Sequence, residues 1–171
     1  MAGERELTVR PIGRVIKGRP WPAHDDYREG QEAEIEIEAA WAEALEGIEG
    51  FSHVWLFWWL DRSDGAPAVL QVHPEGRQDV PLVGVFATRS PRRPNPIALT
   101  AVRLLERRGM RLRVQGLDAY EGTPILDIKP YLRRGDLIPE ATIPGWLERL
   151  WRIHDQERGA QCAKEEVEDV G

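Results

Sequence analysis

The chain has 171 residues, of which 42% are hydrophobic and 30% charged, and a net charge of −6. That balance excludes a disordered chain, and no apolar run reaches the roughly 18 residues of a membrane helix. A single cysteine, Cys162, excludes an internal disulfide, and no Cys or His spacing resembles a zinc site. The amino terminus, M-A-G-E-R-E-L, is polar and lacks a signal-peptide core. The expectation is a cytoplasmic protein with no membrane contact and no metal.

In chain order, the first clear element is Glu34-Ile35-Glu36-Ile37-Glu38, whose strict alternation predicts a strand with one wet face. It lies in an acidic stretch: residues 25–49 hold ten acids against Arg28. A-A-W-A-E-A-L-E-G (39–47) predicts a short helix stopped at Gly47. V-W-L-F-W-W-L (54–60) is continuously apolar, which suits a central strand, and L-V-G-V-F-A-T (82–88) reads the same way. T-A-V-R-L-L-E-R (100–107) and M-R-L-R-V-Q (110–115) predict a hairpin around Gly109, with Met110, Leu112 and Val114 on one face. I-L-D-I (125–128) is a further strand, with Leu126 and Ile128 toward the core and Asp127 and Lys129 on the opposite face.

After Pro144, Leu147, Leu150, Trp151 and His154 recur at helical spacing, which predicts a helix with its Trp and Leu stripe on the sheet. His154 on that stripe reads as structural. From Glu157 the chain is small, polar and acidic. The organisation expected is one domain over 1–156, a small, mainly β barrel with short flanking helices and no Rossmann sheet, followed by an acidic flexible tail over 157–171. The phosphate-cradling glycine motifs and the G-x-S-x-G nucleophile elbow are absent.

Two segments carry chemistry. F-A-T-R-S-P-R-R-P-N-P-I (86–97) places three arginines, three prolines and Asn95 in a loop after a strand. The prolines stiffen the loop, and a rigid loop rich in donors loses little entropy on binding. Arginine forks suit carboxylates and phosphates. The loop begins a stretch, 89–113, with eight arginines against Glu106, a local footprint for an anion or nucleic acid in an acidic protein. The second segment is L-D-A-Y-E-G-T-P-I-L-D-I-K-P-Y (117–131), with a tight turn at E-G-T-P. Asp127 and Lys129 there form either a surface ion pair or part of a pocket wall.

These two segments, with G-F-S-H-V-W-L-F (50–57) upstream, resemble the TsaA-like family of TrmO-type tRNA methyltransferases over about Val9 to Arg133. The resemblance implies a β-barrel that binds S-adenosyl-L-methionine outside a Rossmann setting. It implies methylation of the exocyclic nitrogen of threonylcarbamoyl-modified adenosine beside the tRNA anticodon, and a homodimer. By the same resemblance the cofactor would meet Asp61, Arg62, Arg89, Leu99, Glu121, Gly122, Thr123 and Pro124. The family commonly has His-Gln at Asp61-Arg62, Asp at Glu121 and Gly at Ala98, and a Pro-x-Gln where P-W-P-A-H-D-D-Y-R (20–28) stands. His53 lies in a family motif and reads as structural. For the chemical step, Asn95 and Asp127 are the candidates, since both carry acceptor oxygens for an amine that must lose a proton. Arg92, Arg93, Lys129 and Arg134 are the candidate contacts to an anionic substrate or RNA. Other readings are a methyltransferase of the same fold acting on a small molecule, and a non-catalytic S-adenosylmethionine or RNA-binding module.

Overall fold

The computed structural model describes residues 7–19, 30–63 and 67–168, with side chains described as far as Glu157. The 20–28 segment singled out above lies outside these residues. Contacts divide the chain into two units, Met1–Ala68 with Pro91–Asp136, and Val69–Ser90 with Leu137–Gly171. The stretch 1–156, read as one domain, is therefore shared between them.

The first unit is a closed barrel. Its strands are β1 (Gly13–Lys17), β2 (Glu32–Ile37), β3 (His53–Trp59), β6 (Ile97–Arg108), β7 (Arg111–Gln115) and β8 (Pro124–Pro130), in the spatial order β1-β2-β7-β6-β3-β8. All neighbours run antiparallel. The alternation in β2 does what its period requires: Ala33, Ile35 and Ile37 are buried, as are Leu112 and Val114 opposite them. Val54, Leu56 and Trp58 of β3 join the same core. On the outside, Glu36 meets Arg111 and Arg14, and Glu32 meets Arg113. Such exposed pairs each add little stability, but along β2 each acid opposite a charged residue faces a base, which favours this register. Closure falls at Gly13, which pairs with both Ile37 and Ile125; a Cβ there would overlap the Glu36 carbonyl oxygen.

The second unit holds β4 (Gln71–Val72), β5 (Val83–Gly84) and a long helix, here α2 (Gly145–Glu168). In place of the strand expected at 82–88, only Val83–Gly84 is extended. A 3-10 turn follows over Val85–Ala87, with Phe86 78% and Leu82 51% exposed. The run is apolar, but it pairs only with a two-residue neighbour, so nothing prolongs it. The helix begins after Pro144 as expected and runs through Glu168, past the tail boundary at 157. Leu150 is buried while Trp151 is 52% exposed, so the stripe is narrower than its spacing suggests. His154 accepts or donates a hydrogen bond with Glu75 at 2.9 Å.

Three local expectations also shift. The 39–47 helix is a 3-10 helix, Ala39–Leu45, and Gly47 follows in the left-handed region at φ 81°. Met110 is 38% exposed at the hairpin tip, off the face it was expected to share with Leu112 and Val114. In β8, Asp127 pairs with Phe57 but Ile125 pairs with Trp58, so Leu126 is looped out as a bulge. The bulge resets the alternation, and Ile125, fully buried, takes the core position expected of Leu126.

Candidate functional site

The end of β3 gathers three separate stretches of chain. Past Trp59, the Leu60 N–H donates to the Pro96 carbonyl at 2.7 Å, which ties the proline-rich loop to the strand. Within that loop, the Ile97 N–H donates to the Asn95 carbonyl at 2.7 Å. A 3-10 turn, Asp61–Ser63, then carries Asp61 and Arg62. On the other flank the 120–123 turn is closed by Thr123 N–H to the Tyr120 carbonyl at 3.1 Å, and Gly122 N–H donates to Val15 at 2.8 Å. The turn needs a residue at φ 88°, which Gly122 supplies without a Cβ penalty.

Two side-chain bonds lock these pieces together. Thr123 Oγ1 donates to Asp61 Oδ1 at 3.2 Å, and Arg62 Nη2 donates to the Glu121 carbonyl at 3.3 Å. Arg62 Nε lies 3.7 Å from Asp61 Oδ2. Thr123 is fully buried, whereas the Asp61 and Arg62 side chains are 26% and 39% exposed. The result is a carboxylate and a guanidinium presented side by side at the barrel mouth. The first suits a hydroxyl or an ammonium, the second a carboxylate.

The other predicted residues are dispersed around this cluster. Pro124 opens β8 opposite Arg14. Asn95 is exposed in the tethered loop, as are Arg92 and, in part, Arg93. Leu99, 41% exposed, lies opposite Phe57 on the outer wall, and Asp127 lies opposite the same Phe57 from the other side. Asp127 is thus in mid-strand, within β8. Its Oδ2 is 2.6 Å from Lys129 Nζ, and its Oδ1 accepts from the Ile128 N–H at 2.9 Å. Lys129 also stands 5.8 Å from the Phe57 ring centre. Arg89 belongs to the second unit, and Arg134 sits in the short helix α1 (Arg133–Asp136).

The basic window divides when folded. Arg107 bonds Glu46 at 3.0 Å and Glu49 at 2.7 Å, and the Glu46 bond foremost raises its pKa. Arg108 bonds Glu106 at 2.7 Å and holds that carboxyl below its ordinary value. With Arg111 and Arg113 also paired, four of the eight arginines are engaged by glutamates.

A cavity of about 370 Å³ opens elsewhere, between Ile12, Ile37, Trp41, Leu45, Phe51 and Ile128. Of the predicted residues only Asp127 lines it. Its walls are nearly all apolar and offer few partners to a ligand rich in polar groups, so the Asp61–Arg62–turn cluster is the candidate site. The sequence pointed to each member of that cluster. The Leu60–Pro96 tether it did not reveal, because a backbone bond that continues the β3–β6 ladder leaves no mark on residue type.

Residues 17–137 match the family model of the tRNA-methyltransferase O N-terminal domain. A protein of Archaeoglobus fulgidus named "Probable S-adenosyl-L-methionine-binding protein" is 48% identical over 115 residues, which are 67% of this chain and 30% of that one. The human "tRNA (adenine(37)-N6)-methyltransferase" is 41% identical over 93 residues, 54% of this chain and 21% of that one. The crystal structure of TrmO from P. aeruginosa superposes with a TM-score of 0.65 at 30% identity, covering 85% of this chain and 63% of that one. The chain thus spans less than two thirds of each of these three proteins.

Proposed function

The chain belongs to the tRNA-methyltransferase O N-terminal domain family, and from that premise we propose that it transfers a methyl group from S-adenosyl-L-methionine to tRNA. The acceptor is the exocyclic nitrogen of threonylcarbamoyl-modified adenosine beside the anticodon. The observation that carries the reading is the clamp of Asp61 and Arg62 on the 121–123 turn, which joins four of the sequence positions, Asp61, Arg62, Glu121 and Thr123, where the family resemblance puts the cofactor.

The cluster fits that cofactor by its donor set. The Asp61 carboxylate suits the ribose hydroxyls or the ammonium, the Arg62 guanidinium suits the carboxylate, and the turn at Glu121, Gly122, Thr123 and Pro124 offers backbone to a close approach. Thr123 acts through Asp61, since its buried hydroxyl is already engaged there. By the family resemblance, the backbone near Leu99 adds a further contact. When bound, the cofactor supplies an electrophilic methyl group on a cationic sulfur.

What the chain must add is aim, because displacement at a methyl group requires the nucleophile in line. Adenine's amine is a poor nucleophile, its lone pair being delocalised into the ring. An acceptor on an amine hydrogen favours the tetrahedral nitrogen, and the Asn95 amide oxygen, on a loop stiffened by Pro94 and Pro96, is proposed for that. Asp127 is proposed to take the proton the nitrogen loses. Its bond to Lys129 must open for that, which would leave Lys129, with Arg92 and Arg93, to hold an anionic part of the substrate. We further propose a homodimer, joined through the outer face of β6 where Ile97 and Leu99 are each 41% exposed.

Calorimetric titration of the full chain with S-adenosyl-L-methionine tests the site. Saturable binding, weakened roughly ten-fold in Arg62→Ala as loss of one charge-assisted contact implies, supports it. No heat from the wild type at millimolar ligand contradicts it.

A further inference from the structure

We propose that the outer surface at the start of β3 is an RNA anchor, in which Arg103, Arg133 and Arg134 take backbone phosphates and His53, Trp55 and Tyr131 offer ring faces to unstacked bases. The proposal rests on the tRNA reading above and gives it a place on the molecule.

Register assembles the surface. His53 of β3 lies directly opposite Arg103 of β6, so both point out of the barrel, and both are exposed. Tyr131 follows β8 and its N–H donates to the His53 carbonyl at 3.1 Å. Its ring stands 6.4 Å from His53, edge-on, and 5.6 Å from Trp55, tilted by 48°. The two basic residues of α1 are held against this group by Asp136. Its Oδ2 accepts from Trp55 Nε1 at 3.0 Å and from the Leu132 N–H at 2.7 Å. Asp136 is the acid nearest these cations in the chain, and both bonds draw its carboxylate toward Trp55 and the α1 backbone.

The charge pattern says what such a surface is for. In a chain of net charge −6, RNA is repelled on average and must be met by cations gathered locally. The obvious cations, Arg107, Arg108, Arg111 and Arg113, are neutralised by glutamates. Among the described residues, Arg103, Arg133 and Arg134 carry no ion pair and are all exposed. Unpaired arginines beside aromatic rings are the combination that binds single-stranded nucleic acid, phosphates to the cations and bases to the rings. A protein partner could also use such rings and arginines, so the salt dependence of binding and the oligomeric state separate the two. The seven residues of β3 separate the anchor from Asp61 by roughly 20 Å at the strand rise. Contacts at that remove fix the register of an RNA whose reacting base lies at the barrel mouth.

The test is binding of an anticodon stem-loop RNA to the full chain across a salt series, followed by fluorescence anisotropy, with light scattering and tRNA methyl transfer on the same samples. In the triple variant Arg103→Ala, Arg133→Ala, Arg134→Ala, affinity falls ten-fold or more. The slope of log affinity against log salt flattens by about 2, at roughly 0.7 per lost phosphate contact. Tyr131→Leu weakens binding with the slope kept, and Arg111→Ala with Arg113→Ala leaves both unchanged. A triple variant with wild-type affinity and slope, in a protein that methylates tRNA, overturns the anchor and leaves the tRNA reading standing. A triple variant that loses a dimer while its salt slope stays intact makes the surface a protein interface and overturns the anchor too. A wild type that binds the cofactor but no RNA at any salt overturns both.

Discussion

Thr123→Val isolates the contact that orders the site. The two side chains have nearly the same shape, so no cavity forms; what is lost is the hydroxyl that donates to Asp61 Oδ1 at 3.2 Å from a fully buried position. A hydrogen bond to a charged acceptor contributes about 1.5–3 kcal/mol. The Asp61 side chain is 26% exposed, so water replaces part of that bond, and about 1–2 kcal/mol is the expected loss. For a chain of this size that lowers Tm by about 2–8 °C. With Asp61 no longer held beside Arg62, S-adenosyl-L-methionine affinity falls roughly ten-fold, the equivalent of about 1.4 kcal/mol. Thermal unfolding and calorimetric titration read the two effects separately, and Thr123→Ser restores both because it keeps the hydroxyl. A valine variant that binds the cofactor as well as wild type refutes the positioning argument, as does a serine variant that behaves like valine.

Asn95→Ala and Asp127→Asn each lower the turnover number by roughly ten-fold or more, a value at the low end for acid–base assistance, with cofactor affinity nearly unchanged; normal turnover with lost affinity makes them binding residues. Glu106 is held below its ordinary pKa by the hydrogen bond from Arg108, so its contribution to stability is complete above the ordinary glutamate range and is lost as pH falls through the lowered value. Arg108→Ala therefore moves the Glu106 carboxyl titration upward in NMR, and a curve that stays in place contradicts that assignment. Light scattering at micromolar concentration gives twice the chain mass if the homodimer forms, and Leu99→Asp shifts it toward the monomer; a wild-type monomer rejects the contact.

The barrel is legible where side chains alternate. The Glu-Ile repeat of 34–38 and the Arg-Leu-Arg-Val repeat of 111–114 carry their faces in their spelling, and the structure pairs them residue for residue. The 82–88 run failed for the reason that apolar composition states only that burial is affordable; a strand also needs a partner edge, and only Gln71–Val72 is there. Leu126 failed because a bulge is a property of two strands together, visible in neither alone. The site shows the same division. Asp61 and Thr123 were each identifiable, yet they are 62 residues apart, and only barrel closure makes one the hydrogen-bond partner of the other. The arginine window overstated its free charge, because glutamates of β2 and of the 46–49 stretch, together with Glu106 of the window itself, engage half of its arginines.

The central claim is methyl transfer to a modified tRNA base, and the direct measurement is isotope transfer. The purified chain is incubated with S-adenosyl-L-methionine carrying a deuterated methyl group and with tRNA isolated from cells lacking this activity, and the nucleosides are separated by mass spectrometry. The account predicts the labelled methyl on threonylcarbamoyl-adenosine, absent from tRNA that lacks the threonylcarbamoyl group and strongly reduced with Asn95→Ala. Unlabelled tRNA from a protein that demonstrably binds the cofactor contradicts it.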